Sequence, residues 1–247
     1  MANRSGRNRE RRSGRRTPFR EPKLKMLIVC EGANTEKQYF EQFAKFHRNS
    51  LVEVIVEGGK GVPLTVVRAA KERKEKAISD AKRKDDEFLK YQWVWCVFDV
   101  DNHPNVPEAR IMAADNGIEL AISNPCFELW LLLHHRDCPG ELHRHAAQTM
   151  LKDHVAGYDK HVNFDDYTDG YHKAVQRAKS LDQLAESMGE PGRNPTTGVY
   201  VLTEMIIPPP RRSVLEFLDS LPSGPRSAPT WDEVERRFQE ERDAWDR

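Results

Sequence analysis

Short apolar runs that stop at charged or glycine-rich turns alternate, along the first half of this chain, with segments whose apolar residues recur every three or four positions. LKMLIVC (24–30), bounded by Glu31-Gly32, predicts a buried strand. From Thr35 onward Tyr39, Phe40, Phe43 and Phe46 recur at helical spacing, and Thr35 with Gln38 three places later fits a capping box. LVEVIVEGGKG (51–61) predicts a second strand closing in a glycine-rich turn. Pro63 then opens a long charged helix to about Lys90, with Val66, Val67, Ala70, Ala77, Ile78, Ala81 and Phe88 on a discontinuous apolar face. QWVWCVF (92–98) is the third strand and runs directly into Asp99-Val100-Asp101. A helix from near Pro107 to Asn116 ends at Gly117, IELAI (118–122) is the fourth strand, and Cys126 to His135 is apolar enough for a buried helix.

Strands alternating with helices predict an α/β domain over 24–135, a parallel-sheet core with helices on both faces. The rest reads as helical: 136–207 is a region packed on that core, with helices at 141–156, 171–188 and about 195–206. The proline run at 208–210 then opens a linker with short C-terminal helices over 208–247. No apolar run approaches the roughly 18 to 20 residues of a membrane span, and the arginine-rich start lacks a signal-peptide core. A cytoplasmic protein with no membrane partner is the expectation.

Composition adds two constraints. The four cysteines, Cys30, Cys96, Cys126 and Cys138, show no C-x-x-C spacing, so buried reduced thiols are expected and a zinc ribbon is excluded. Across 247 residues the net charge is zero, yet residues 1–25 hold ten Lys or Arg against Glu10 and Glu21, a local +8 that leaves −8 for the remainder. Residues 1–23 therefore read as a disordered basic arm in which Arg11, Arg12, Arg15 and Arg16 suit nucleic acid. A merely solubilising tail has the same composition.

Ligands of open parallel sheets collect at the carboxyl ends of the strands. Glu31 follows the first strand, while Asp99 and Asp101 follow the third and alternate to one side of an extended segment. Were those strands neighbours, three carboxylates would share one edge and repel unless a cation neutralised them. Oxygen-only ligands suit Mg²⁺ or Mn²⁺, and both ions meet phosphate oxygens. Glu31 could instead act as general acid or base. Taken singly, a D-x-D is commonly a solvated turn and a glutamate before a helix commonly a dipole partner.

Four blocks carry a family resemblance: E-G-x-x-T-E-x-x-Y-F (31–40), V-W-C-V-F-D-x-D-x-H-P (94–104), S-N-P-C-F-E-L-W-L-L-L-H (123–134) and N-P-T-T-G-V (194–199). The first two resemble Toprim-domain motifs, and all four together resemble the RloB-like family over about 24–205. The resemblance implies a Toprim-like fold and a Mg²⁺- or Mn²⁺-dependent nuclease acting on DNA or RNA, tRNA included. It also implies a role in bacterial defence against phage and a partner ATPase of the AAA or ABC type encoded nearby. Asn102 stands where many relatives would carry an acid, which weakens an auxiliary ligand there but not the D-x-D pair.

Other residues have two readings each. Glu36 lies in a helix's first turn, where the dipole explains it, yet that turn faces the proposed site. His103 could contact phosphate or sit in solvent, Asn124 could reach substrate from the fourth strand, and Lys60 could touch a phosphate from a turn that lacks the P-loop spacing. Glu128, inside an apolar helix, needs a partner if buried. Trp93, Trp95 and Trp130 read as core. A non-catalytic Toprim protein that binds nucleic acid or a partner is the competing expectation, and self-association is left open.

Overall fold

An uninterrupted apolar stretch of strand must be covered on both sides, and in β1 (Leu24–Cys30) it is: Met26 through Cys30 are fully buried. The computed structural model describes residues 23–49, 51–100 and 105–208, together with 235, 236 and 239. The division of the chain falls after Pro208. The basic arm, residues 101 to 104 and, but for those three residues, the segment after Pro208 lie outside the described residues.

β1 pairs in parallel with β2 (Val52–Glu57) on one side and β3 (Tyr91–Asp99) on the other; β4 (Glu119–Asn124) follows β3 in parallel. A two-residue strand β5 (Thr196–Thr197) closes the edge antiparallel to β4, giving the order β2-β1-β3-β4-β5. The fold is thus mixed α/β, a mostly parallel five-stranded sheet with helices on both faces, consistent with a Toprim-like core.

Alternation sorts the core into two layers. Met26, Ile28, Cys30, Trp95, Val97 and Ala121 face α1 (Thr35–His47), α4 (Phe127–Leu133), α5 (Arg144–Lys152), α6 (Tyr171–Ser187) and α7 (Val199–Ile206). Leu27, Val29, Val94, Cys96 and Phe98 face α2 (Pro63–Lys84) and α3 (Val106–Asp115). Asp99 has the parity of Trp95 and Val97, so its side chain enters the α1 and α4 layer. α4 is apolar at every position but Glu128 because it is buried all round. Its end is fixed where Gly170, at the start of α6, meets the His134 carbonyl so closely that any Cβ would collide with it.

Four expectations are corrected. α2 stops at Lys84, where Asp85 turns left-handed (φ 50°), and the Asp86 side chain caps a separate 3₁₀ turn at Glu87–Leu89. The helix expected from 141 starts at Arg144, since the Leu142 backbone bonds to both ends of the Asn194 amide. The helix expected from 195 is preceded by β5 and starts after Gly198. The capping box is absent: Thr35 is already helical and the Gln38 side chain is engaged elsewhere. Cys30, Cys96 and Cys126 are buried free thiols, Cys138 is half-buried, and Trp95 and Trp130 are core while Trp93 is half-buried. Among the described residues no helix is long and apolar enough to cross a membrane.

Candidate functional site

β1 and β3 are neighbours whose onward connections run to opposite faces of the sheet, α1 on one and α3 on the other. This switch point is where open α/β sheets form a crevice. Past the end of β1 the Glu31 N–H donates to the Val97 carbonyl (2.9 Å), and the Glu31 Oε2 accepts from the Asp99 N–H (3.2 Å). Backbone pairing thus places two of the expected acids, Glu31 and Asp99, side by side.

A cleft of about 260 Å³ opens there, walled by Glu31, Glu36, Asp99, Glu128, Arg144, Gln148 and Lys160 among others. Glu36 belongs to it because it continues the buried stripe of Tyr39, Phe40 and Phe43 along α1. Its carboxylate folds over Gly32, where a Cβ would collide with Oε2. Glu128, 6% exposed in the first turn of α4, accepts from Gln148 Nε2 (2.8 Å) and from the Tyr158 hydroxyl (3.4 Å). Asp99, 7% exposed, accepts from the Arg144 guanidinium through Oδ2 (2.8 Å).

Among the described residues, four carboxylates against Arg144 and Lys160 leave an excess of negative charge in a poorly hydrated place. Burial foremost, then the charge of Glu36, pushes the Asp99 carboxyl well above the carboxylate range, against the pull of Arg144. Burial likewise raises Glu36; backbone donors oppose the shift, while Glu128 and Glu31 add to it.

The loop after α5 completes the wall. Thr35 Oγ1 donates to the Lys160 carbonyl (3.0 Å), Gln38 Oε1 accepts from the Val162 N–H (2.9 Å), and Gln42 donates to the Val162 carbonyl (2.6 Å) and accepts from the Phe164 N–H (3.0 Å). Lys160 itself sits at φ 75°, uncommon for a residue with a Cβ.

Of the other predicted residues, Lys60 pairs with Glu57 (3.3 Å) and Asn124 donates to the Gly192 carbonyl (2.9 Å); neither lines the cleft. Asp101, His103, Arg11, Arg12, Arg15 and Arg16 lie outside the described residues. Arg144, Gln148, Tyr158 and Lys160 were not anticipated. Arg144 and Gln148 do sit four apart on one helix, but nothing in the sequence aims that helix at Asp99.

The donors are all oxygen, which fits a hard divalent cation by chemistry, and the excess of acids over bases fits it electrostatically. Among the described residues, however, no three His, Cys, Asp or Glu take up positions that could hold a metal ion.

Behind the cleft the buried His134 holds α1 to α4. Burial depresses its pKa to about 3, so the ring is neutral: its Nδ1–H donates to the Trp130 carbonyl (2.9 Å), which leaves Nε2 to accept from the Tyr39 hydroxyl (3.3 Å). An unfolded histidine, near 6.5, binds a proton at pH 5 that the native ring refuses. Stability from this residue is therefore present above about pH 6.5 and lost as pH falls toward 3, by about 2 kcal/mol between pH 7.5 and 5. The raised Asp99 and Glu36 carboxyls act in the opposite direction, so the test is a comparison. Urea midpoints at both pH values for wild type and His134→Gln should show a pH-dependent loss smaller by about that amount in the variant; an unchanged difference would refute the assignment.

Among curated proteins and among solved structures, none matches the chain. The family model described as RloB-like protein matches residues 26–206, which take in the sheet from Met26 onward, α1 to α7 and every named wall of the cleft, and the chain belongs to that family.

Proposed function

We propose that this protein is a Mg²⁺- or Mn²⁺-dependent nuclease of the Toprim type, hydrolysing phosphodiesters of DNA or RNA, tRNA included. The observation that carries the reading is the apposition of Glu31 and Asp99 at the β1/β3 switch point, with Glu36 and Glu128 in the same cleft. Glu31, Asp99 and Asp101 would hold the ion. When bound it would supply Lewis-acid polarisation of the phosphate and stabilise charge on the leaving oxygen. Glu36, whose carboxyl keeps its proton more readily than an ordinary glutamate, is suited to hold a proton beside the reacting phosphate. Glu31 fixes the end of β3 through the Asp99 N–H, and so positions Asp99 as well as contributing charge. The family resemblance supports a cytoplasmic role in defence against phage with a partner ATPase, and the basic arm supports nucleic acid as the substrate.

A second reading, a non-catalytic protein that binds nucleic acid or a partner, is favoured by the Asp99–Arg144 ion pair, which already engages the central carboxylate. Incubation of the purified chain with DNA, RNA and tRNA, with Mg²⁺ and Mn²⁺ separately, decides between them. Wild type should cleave one of these only with the ion, and Glu31→Gln should cleave it about a hundredfold more slowly or worse. Equal products from both proteins would remove Glu31 from the site, and binding without cleavage by either, with the partner ATPase and ATP also present, would establish the second reading.

A further inference from the structure

Arg144 is the first residue of α5, where the helix dipole disfavours a cation. What offsets that placement is Asp99: the guanidinium Nη2 lies 2.8 Å from Oδ2, with the carboxylate side chain 10% exposed and the arginine 34%. One turn on, Gln148 gives Glu128 its 2.8 Å bond. α5 therefore lays two donors over two of the cleft's four acids, but they are not equivalent. Gln148 is neutral and satisfies one acceptor. Arg144 brings the charge, is open to solvent on one side, and ends in a planar fork that fits a phosphate as well as it fits a carboxylate.

A divalent cation on the Asp99 carboxylate would compete with the guanidinium for it and repel that charge at close range. We propose that Arg144 exchanges partners: it neutralises Asp99 while the cleft holds no divalent cation, and is released to a phosphate of the nucleic acid when such a cation takes that carboxylate. The inference rests on the metal-dependent reading above and adds a positioning residue that couples metal occupancy to substrate binding. A purely structural arginine, fastening α5 to β3, would on removal weaken both ligands or neither. An exchanging arginine moves them in opposite directions.

The test uses the full chain and Arg144→Gln. Mn²⁺ alone, titrated calorimetrically, should bind about tenfold tighter to the variant, because the ion no longer displaces a charge-assisted bond. A labelled oligonucleotide, titrated with Ca²⁺ saturating for each protein, should bind several-fold more weakly, and the slope of log K against log salt should shrink by about one. Arg144→Lys, which keeps the charge without the fork, should restore the salt slope and guards against a folding defect, checked by circular dichroism. Mn²⁺ affinity that is unchanged or weaker in Arg144→Gln, or a shift of both ligands in the same direction, overturns the exchange alone. Failure of the wild type to bind Mn²⁺ at millimolar concentration overturns the metal-dependent reading, and the exchange with it.

Discussion

Asp99→Asn is expected to lower cation-dependent cleavage by about a thousandfold, equivalent to about 4 kcal/mol of transition-state stabilisation, while the melting temperature stays the same or rises. The two halves of that result have one cause. Asp99 is buried beside Glu36, Glu128 and Glu31, and its carboxyl is pushed well above the usual range by burial first and by those charges next. A carboxylate whose protonation is favoured by folding opposes folding when ionised. Its stabilising contribution is present at low pH and is lost as pH rises through the raised native pKa. Asparagine keeps the shape, can still offer Arg144 a carbonyl oxygen, and removes the opposing charge. Cleavage rates with Mg²⁺ or Mn²⁺ and thermal melts on the same preparations measure both halves. Cleavage within tenfold of wild type would mean that Asp99 is not in the chemistry, and a melting temperature lowered by several degrees would mean that the Arg144 pair outweighs the crowding.

Tyr39→Ala should cost about 4 kcal/mol of folding stability, the scale seen for removal of a large buried aromatic. Tyr39 is fully buried and its ring meets Phe40, Phe43, Phe127, Trp130, Phe164 and Tyr167 at centroid distances of 5.5 to 6.4 Å. Those partners belong to α1, α4 and the stretch before α6, so one ring ties the helix that carries Glu36 to the helix that carries Glu128. Tyr39→Phe keeps the ring but leaves His134 Nε2 without its donor, and should lose only about 1 to 2 kcal/mol. Urea unfolding of the three proteins orders them; a Phe variant as unstable as the Ala variant would show that the hydroxyl, not the packing, dominates.

Both residues show which part of the molecule a linear reading can reach. β1 and β3 were legible because a strand buried on two faces is an uninterrupted apolar run, and an acid just past each run marks the carboxyl edge of the sheet. Tyr39 was legible as core from its spacing. β5 was not: two threonines before a glycine carry no period, and they become a strand only because Ser123 and Asn124 offer a free edge. Arg144 was not legible for a related reason. It lies 45 residues from Asp99 in sequence, and its direction is set by the packing of α5 on α4 rather than by any local rule. Lys60 and Asn124 show the converse, since local position suggested a site while Glu57 and the Gly192 carbonyl provide partners elsewhere.

The loop that walls the cleft is gripped by Thr35, Gln38 and Gln42 chiefly through its main chain: the Lys160 carbonyl, both backbone groups of Val162 and the Phe164 N–H. A clasp that reads backbone is indifferent to most side chains it holds. Lys160 beside the cleft can therefore be exchanged for another residue, glycine suiting its φ best, without undoing what fastens the loop. The outer rim of the cleft is in this sense interchangeable, a place that can be rewritten while the acid-bearing framework beneath it stays as it is.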